Sequence, residues 1–137
     1  ESDPALLRAV AEALAPLVPE GVDALAGLEL GGVPLAVMLG QVTGLPTLFV
    51  RKQAKEYGTR RLAEGGEVAG RRLLVVEDVV TSGGQVVLST RDLKERGASV
   101  THALCVIDRE AGGAQALAAE GVELRALFSM SELKAAG

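Results

Sequence analysis

The sequence predicts an α/β fold with a central, mainly parallel β-sheet and helices on both faces. Two observations carry that prediction. Apolar segments of strand length alternate with segments of helical periodicity along the 137-residue chain, the order that builds β-α-β units with right-handed crossovers. The run Leu73-Leu74-Val75-Val76 has no polar alternation, which marks a strand buried on both faces.

The elements follow in order. Ser2-Asp3-Pro4 reads as a helix start, a capping candidate followed by acid and proline in the first turn. Leu6, Leu7, Val10, Leu14 and Leu17 recur at helical spacing until Pro19 and Gly21 stop the helix. Val22 to Leu28 reads as a strand. Gly31-Gly32 turns the chain into a helix from Pro34 to Thr43, ended by Gly44 and Pro46, and Thr47 to Arg51 is extended again. The stretch 53–70 is charged, glycine-rich and without periodicity, so it is expected to be a surface loop. A strand from Arg72 to Glu77, a helix from Gly84 to Arg96 stopped by Gly97, and a strand from Val100 to Ile107 come next. Gly113 to Ala119 is helical, Val122 to Phe128 is the last strand, and Ser129-Met130-Ser131-Glu132 opens a short terminal helix. Neither a linker nor a repeat divides the chain, so 1–137 is expected to be a single domain.

Composition narrows the function classes. Hydrophobic residues make up 48% and aromatics only 2%, so Leu, Val and Ala must supply the packing. A net charge of −4 disfavours unspecific adhesion to nucleic acid or acidic membranes. Positive charge is instead local, at Arg51-Lys52, Lys55, Arg60-Arg61 and Arg71-Arg72; the last pair precedes a strand and reads as solvated. The single cysteine cannot form an intrachain disulfide, and Cys105 lies in an apolar run that marks a buried structural thiol. The lone His102 has no second histidine with which to build a metal cluster. No apolar segment reaches the length of a membrane span and no signal-peptide layout opens the chain. The expectation is a soluble cytoplasmic protein.

The chemistry concentrates in Leu73 to Gly84. A buried strand delivers the adjacent carboxylates Glu77 and Asp78 at its end, and Val79-Val80-Thr81-Ser82-Gly83-Gly84 leads into a helix. Backbone N–H groups of that turn and the Thr81 and Ser82 hydroxyls make a phosphate cradle. The carboxylates suit ribose hydroxyls or a hydrated Mg²⁺. An acidic strand end beside a polar helix cap is the plainer alternative. The glycine spacing matches neither a Walker loop nor a dinucleotide fingerprint, which leaves a sugar phosphate as the expected ligand.

Val75 to Gln85 resembles the motif by which type I phosphoribosyltransferases bind 5-phosphoribosyl-1-pyrophosphate (PRPP): apolar residues, two acids, two apolar residues, then Thr and small residues. Within that group the orotate phosphoribosyltransferases match best. Gly27 to Ala36 resembles their pyrophosphate-binding turn, Phe49 to Thr59 their Arg-Lys-x-x-Lys-x-x-Gly strand end and catalytic loop, and Ile107-Asp108-Arg109-Glu110 their Asp-Arg element. The resemblance implies the type I phosphoribosyltransferase fold and transfer of ribose 5-phosphate from PRPP to orotate in pyrimidine biosynthesis. Transfer to another nucleobase, or PRPP binding by a regulator without turnover, are the alternatives.

The resemblance also implies roles. Glu77, Asp78, Val79, Val80, Thr81, Ser82, Gly83, Gly84 and Gln85 would surround the ribose 5-phosphate, with the two acids on the ribose hydroxyls. Leu30 and Gly31 would offer main-chain N–H groups to the pyrophosphate, which Arg51, Lys52 and Lys55 would also meet. Thr81 and Arg109 would bind orotate, and Lys55 and Asp78 would be the catalytic pair. Mg²⁺ would be held mainly by PRPP, without direct protein ligands. The 53–70 loop would close as a lid that keeps water from a cationic sugar, with Tyr57 where many relatives carry histidine. A homodimer with shared active sites is implied, since lid residues of this family act at the neighbouring subunit's site. The family's N-terminal hood over the base has no counterpart in the matched residues, which begin at the first helix.

Overall fold

The computed structural model describes residues 3–51, 63–64 and 67–137. One sheet runs in the order β3-β2-β1-β4-β5-β6, built from β1 (Ala24–Leu28), β2 (Thr47–Val50), β3 (Ala63–Glu64), β4 (Arg72–Val80), β5 (Ser99–Asp108) and β6 (Glu123–Ser129). Every neighbouring pair is parallel except β2 with β3. The helices are α1 (Pro4–Leu14), α2 (Gly32–Thr43), α3 (Gly84–Glu95), α4 (Gly113–Ala118) and α5 (Met130–Ala136). The α/β class and the mainly parallel sheet read from the sequence are therefore adopted.

Alternation along the buried strands sends side chains to two cores. Leu25, Leu74, Val76 and Leu104 pack under α1 and α2, against Leu14, Leu35 and Leu39. Their neighbours Ala24, Ala26, Leu73, Val75 and Cys105 face α3 and α4, where Val86, Leu93 and Leu117 meet them. Each buried leucine contributes about 1.5–3 kcal/mol through loss of apolar surface to water, which is how a chain poor in aromatics closes its cores. Cys105 is fully buried. Burial first, then the charges of Asp108, Glu77 and Asp78, push its thiol up to about 12. The expected structural thiol is what the fold provides.

Several boundaries move for physical reasons. The cap of α1 is Asp3, whose Oδ1 accepts from the amides of Ala5 (3.0 Å) and Leu6 (3.3 Å); Ser2 lies outside the described residues. Pro16 has no N–H with which to continue an α-helix, so residues 15–17 close as a 3₁₀ turn instead of running helically to Pro19. Arg72, read as solvated, joins β4 to the start of β1: its N–H donates to Asp23 Oδ2 at 2.8 Å and its guanidinium lies 3.6 Å from the same oxygen. The amide bond and the guanidinium hold the Asp23 carboxyl below its usual range. The strand expected to stop at Glu77 continues to Val80, because β5 keeps pairing with it as far as Val80–Asp108. Within the stretch read as an irregular loop, Ala63–Glu64 pairs antiparallel with Phe49–Val50. Most of that stretch lies outside the described residues.

The α3 side of the sheet carries an internal cost. Ser89 Oγ and Thr90 Oγ1 are buried and have no hydrogen-bond partner among the described residues, and an unpaired buried hydroxyl costs about 1–3 kcal/mol. Thr90→Val keeps the shape and removes the hydroxyl. We predict a gain of about 1 kcal/mol in urea unfolding; a comparable loss would show that bound water satisfies the hydroxyl.

Candidate active site

Parallel strands place their carboxyl ends on one edge of the sheet. β1 connects to β2 on one side while β4, β5 and β6 proceed on the other, so the strand order reverses between β1 and β4. Ligands of open α/β sheets bind in the crevice at such a switch point. Its two walls are the turn after β1 and the end of β4.

These walls touch through glycine. A Cβ built on Gly31 would lie 2.2 Å from Asp78 Oδ2, and one on Gly32 would lie 2.2 Å from the Val76 carbonyl oxygen. A side chain at Gly32 would require the β4 backbone to move, whereas one at Gly31 would have to displace the Asp78 carboxylate. The Glu29–Leu30 peptide within this turn is cis, and Leu30 stands out into solvent, 78% exposed. Arg51, half-buried, follows directly on β2.

Glu77 and Asp78 lie inside β4 as paired with β5, yet beyond the last β1 partner, Gly27–Val76. The correction to the sequence reading is thus one of frame: the acids sit where β4 outruns β1. Being adjacent in a strand, they are directed oppositely. Glu77 is buried, and its Oε1 accepts from the Asp78 amide at 2.9 Å. Asp78 is exposed, and its Oδ1 accepts from the Val79 amide at 2.8 Å. A groove of about 330 Å³ beside Gly31 and Asp78, walled by Leu6, Val79 and Ile107, opens this carboxylate to solvent.

The turn after β4 exposes Thr81, Ser82 and Gly84 and buries Val80 and Gly83. Gly83, at φ +83°, precedes the first turn of α3, and Gln85 is half-buried within that turn. A second glycine supports it from below. A Cβ on Gly113 would lie 2.4 Å from Val80 Cγ1 and 2.8 Å from the Thr81 carbonyl oxygen, and the Gly113 amide donates to that oxygen at 3.0 Å. Val80 therefore serves the turn rather than its solvent side: its side chain is 1% exposed and its carbonyl accepts from the Arg109 amide at 2.9 Å.

That last bond brings the two expected base-side residues together, because it ties Arg109 to the residue before Thr81. Arg109 is exposed and makes no ion pair among the described residues. Its acidic neighbours are engaged elsewhere: Asp108 Oδ1 accepts from the Glu110 amide at 2.8 Å, and the Glu110 carboxylate accepts from Ser131. Lys52, Lys55 and Tyr57 lie outside the described residues. Reading the sequence missed the supports: Gly113 under the phosphate turn, and Glu110 with Ser131 beside Arg109. The pair Gly112-Gly113 soon after Asp108-Arg109 was the available signal for the first.

Taken together, the edge offers backbone amides and hydroxyls for a phosphate, carboxylates for sugar hydroxyls, and guanidinium groups for anions. Comparison with known proteins shows the family. The model of the phosphoribosyl transferase domain family matches residues 1–120. An orotate phosphoribosyltransferase of Nocardioides sp. is 52% identical over 136 residues, covering 99% of this chain and 76% of that relative. One from Methanocella arvoryzae is 41% identical, covering 97% and 76%. Among solved structures, Mycobacterium tuberculosis orotate phosphoribosyltransferase in complex with 5-phospho-alpha-D-ribosyl 1-diphosphate has a TM-score of 0.83 at 30% identity, covering 96% of this chain and 77% of that one. With this identity over nearly its whole length, the chain belongs to the phosphoribosyltransferase family and, within it, to the orotate phosphoribosyltransferases.

Proposed function

We propose that the carboxyl edge of the sheet transfers ribose 5-phosphate from PRPP to orotate, releasing pyrophosphate and orotidine 5′-monophosphate in pyrimidine biosynthesis. The observation that carries this reading is the glycine contact at the switch point, where the Leu30-Gly31 turn and Asp78 form one wall-to-wall crevice beside the Thr81–Gly84 cradle.

In this reading the 5-phosphate rests on the backbone N–H groups and hydroxyls of 81–85. Glu77 and Asp78 hold the ribose hydroxyls. Their charge also favours the positive character that C1 acquires as the bond to pyrophosphate breaks. The pyrophosphate lies against the Leu30 and Gly31 amides, with Arg51, Lys52 and Lys55 supplying cations. Lys55 stabilises the departing oxygen, which gains negative charge. Arg109 receives the orotate carboxylate through its planar fork, and Thr81 contacts the ring. The new bond forms between a ring nitrogen and C1 as the C1–O bond to pyrophosphate breaks, and the proton of that nitrogen leaves to solvent or to the departing pyrophosphate.

The edge is otherwise acidic, with Glu29, Glu77, Asp78, Asp108 and Glu110 close in sequence to the strand ends. A diphosphate cannot settle there without countercharge. Mg²⁺ fits this donor set: the exposed Asp78 carboxylate suits a hydrated ion carried mainly by the substrate's phosphates, as the small, strongly hydrated ion prefers. Bound so, it would neutralise charge on the leaving group. A homodimer in which Lys52 and Lys55 serve the neighbouring subunit's site, a lid formed by 53–70, a single domain over 1–137 and a cytoplasmic location complete the proposal. With a single cysteine the chain can form no intrachain disulfide, which is consistent with a reducing compartment.

Loss of orotate absorbance with PRPP and Mg²⁺ tests the activity; PRPP binding without turnover on any base would return the chain to the regulator alternative. We expect Lys55→Ala to lower turnover by about 10²–10³-fold, the scale of one lost charge-stabilising donor, with the fold intact. A near-normal rate would remove Lys55 from the mechanism. Gly31→Ala is sterically specific, because φ is −64° and the backbone accepts alanine. Its methyl must instead displace the Asp78 carboxylate, so PRPP affinity by calorimetry is expected to fall by about tenfold or more, in line with the loss of a charged hydrogen bond. Asp78→Asn should move affinity in the same direction. Unchanged affinity in both variants would exclude Asp78 from ribose binding.

A further inference from the structure

The turn that carries Arg109 is held from two sides, and only one belongs to the phosphate cradle. On that side, Val80 and Thr81 accept from the amides of Arg109 (2.9 Å) and Gly113 (3.0 Å). On the other, Glu110 reaches across to α5. One oxygen, Oε1, accepts both the Ser131 amide at 2.7 Å and the Ser131 hydroxyl.

Two features make this contact more than a chance surface pair. Glu110 has φ +60° and is the one non-glycine residue with positive φ among the described residues, a region that disfavours residues with a Cβ. Its Ser131 bonds and its own amide's bond to Asp108 Oδ1 hold it there. Ser131 is itself well placed, because α5 begins with a reciprocal cap between Ser129 and Glu132, and Ser129 is the β6 register partner of Asp108. One oxygen of each carboxylate beside Arg109 is thereby engaged, and the guanidinium makes no ion pair with either among the described residues.

We propose that Glu110 is a positioning residue for recognition of the base carboxylate: it latches the 108–112 turn to α5 so that Arg109 stays beside Thr81 and is not neutralised by its own neighbours. The proposal rests on the reading that Arg109 binds orotate. The latch acts on the acceptor, because the phosphate turn keeps its own bonds from the Arg109 and Gly113 amides when the Ser131 contact is lost. Its bonds are exposed and compete with water, so the effect is modest in size and selective in kind.

Steady-state kinetics of three variants test it. Glu110→Gly keeps the left-handed backbone and removes the latch; the KM for orotate is expected to rise by about 3–10-fold, the scale of one exposed hydrogen bond, with kcat and the KM for PRPP unchanged. Glu110→Gln retains an oxygen that can accept from Ser131 and is expected to restore the orotate KM. Arg109→Ala should raise the orotate KM well beyond either. An unchanged orotate KM in Glu110→Gly, beside a large rise in Arg109→Ala, overturns the latch and leaves the Arg109 reading standing. Equal rises in both KM values for Glu110→Gly also overturn it, as a general loss of structure. An unchanged orotate KM in Arg109→Ala overturns the reading on which the proposal rests.

Discussion

The closeness of β1's exit turn to β4 is the constraint on which the rest depends. Gly31 and Gly32 lie against Asp78 and the Val76 carbonyl, with no room for a methyl group at either contact. Packing at that density transmits any change in one wall to the other. The crevice width, the direction of the Asp78 carboxylate and the start of α2 are therefore one structural fact. In the proposed reading, an anion on the turn and a sugar on the strand would meet at a separation set before either arrives, which is the preorganisation that transfer chemistry requires.

A second layer of support lies behind this crevice. The Gly83–Gly113 contact lets α4 press on the phosphate turn from below, and the bond from Arg109 to Val80 joins the third strand end to the same turn. The turn after β4 and the turn after β5 are thus tied together at Val80 and Thr81. Residues from the first helix to the last meet at one edge, yet the functional groups are mostly single side chains or amides at strand ends. The long interior of the sheet provides the rigidity.

The signals legible in the sequence were those encoded locally. The unbroken apolar run of β4 announced burial on both faces, the paired acids and the Thr-Ser-Gly-Gly turn announced the cradle, and Gly31-Gly32 announced a turn. What escaped was set by partners distant along the chain. Asp23 meets Arg72 across 49 positions, and Glu110 meets Ser131 across 21; neither residue carries a mark of its partner. The true end of β4 was hidden for the same reason, since β5 decides how far the ladder extends. The two-residue β3 is too short to show a period. Lys52, Lys55 and Tyr57 were singled out through family resemblance and lie outside the described residues.

Cys105 illustrates what the acidic edge does to its surroundings. It is the register partner of Glu77, buried beneath carboxylates whose field adds to the cost of ionising it. Thiol oxidation and alkylation proceed through the thiolate, so burial first and the nearby carboxylates second disfavour reaction at the chain's one sulfur. The acidic edge thus adds to what burial already does, disfavouring the thiolate at the one cysteine beneath it.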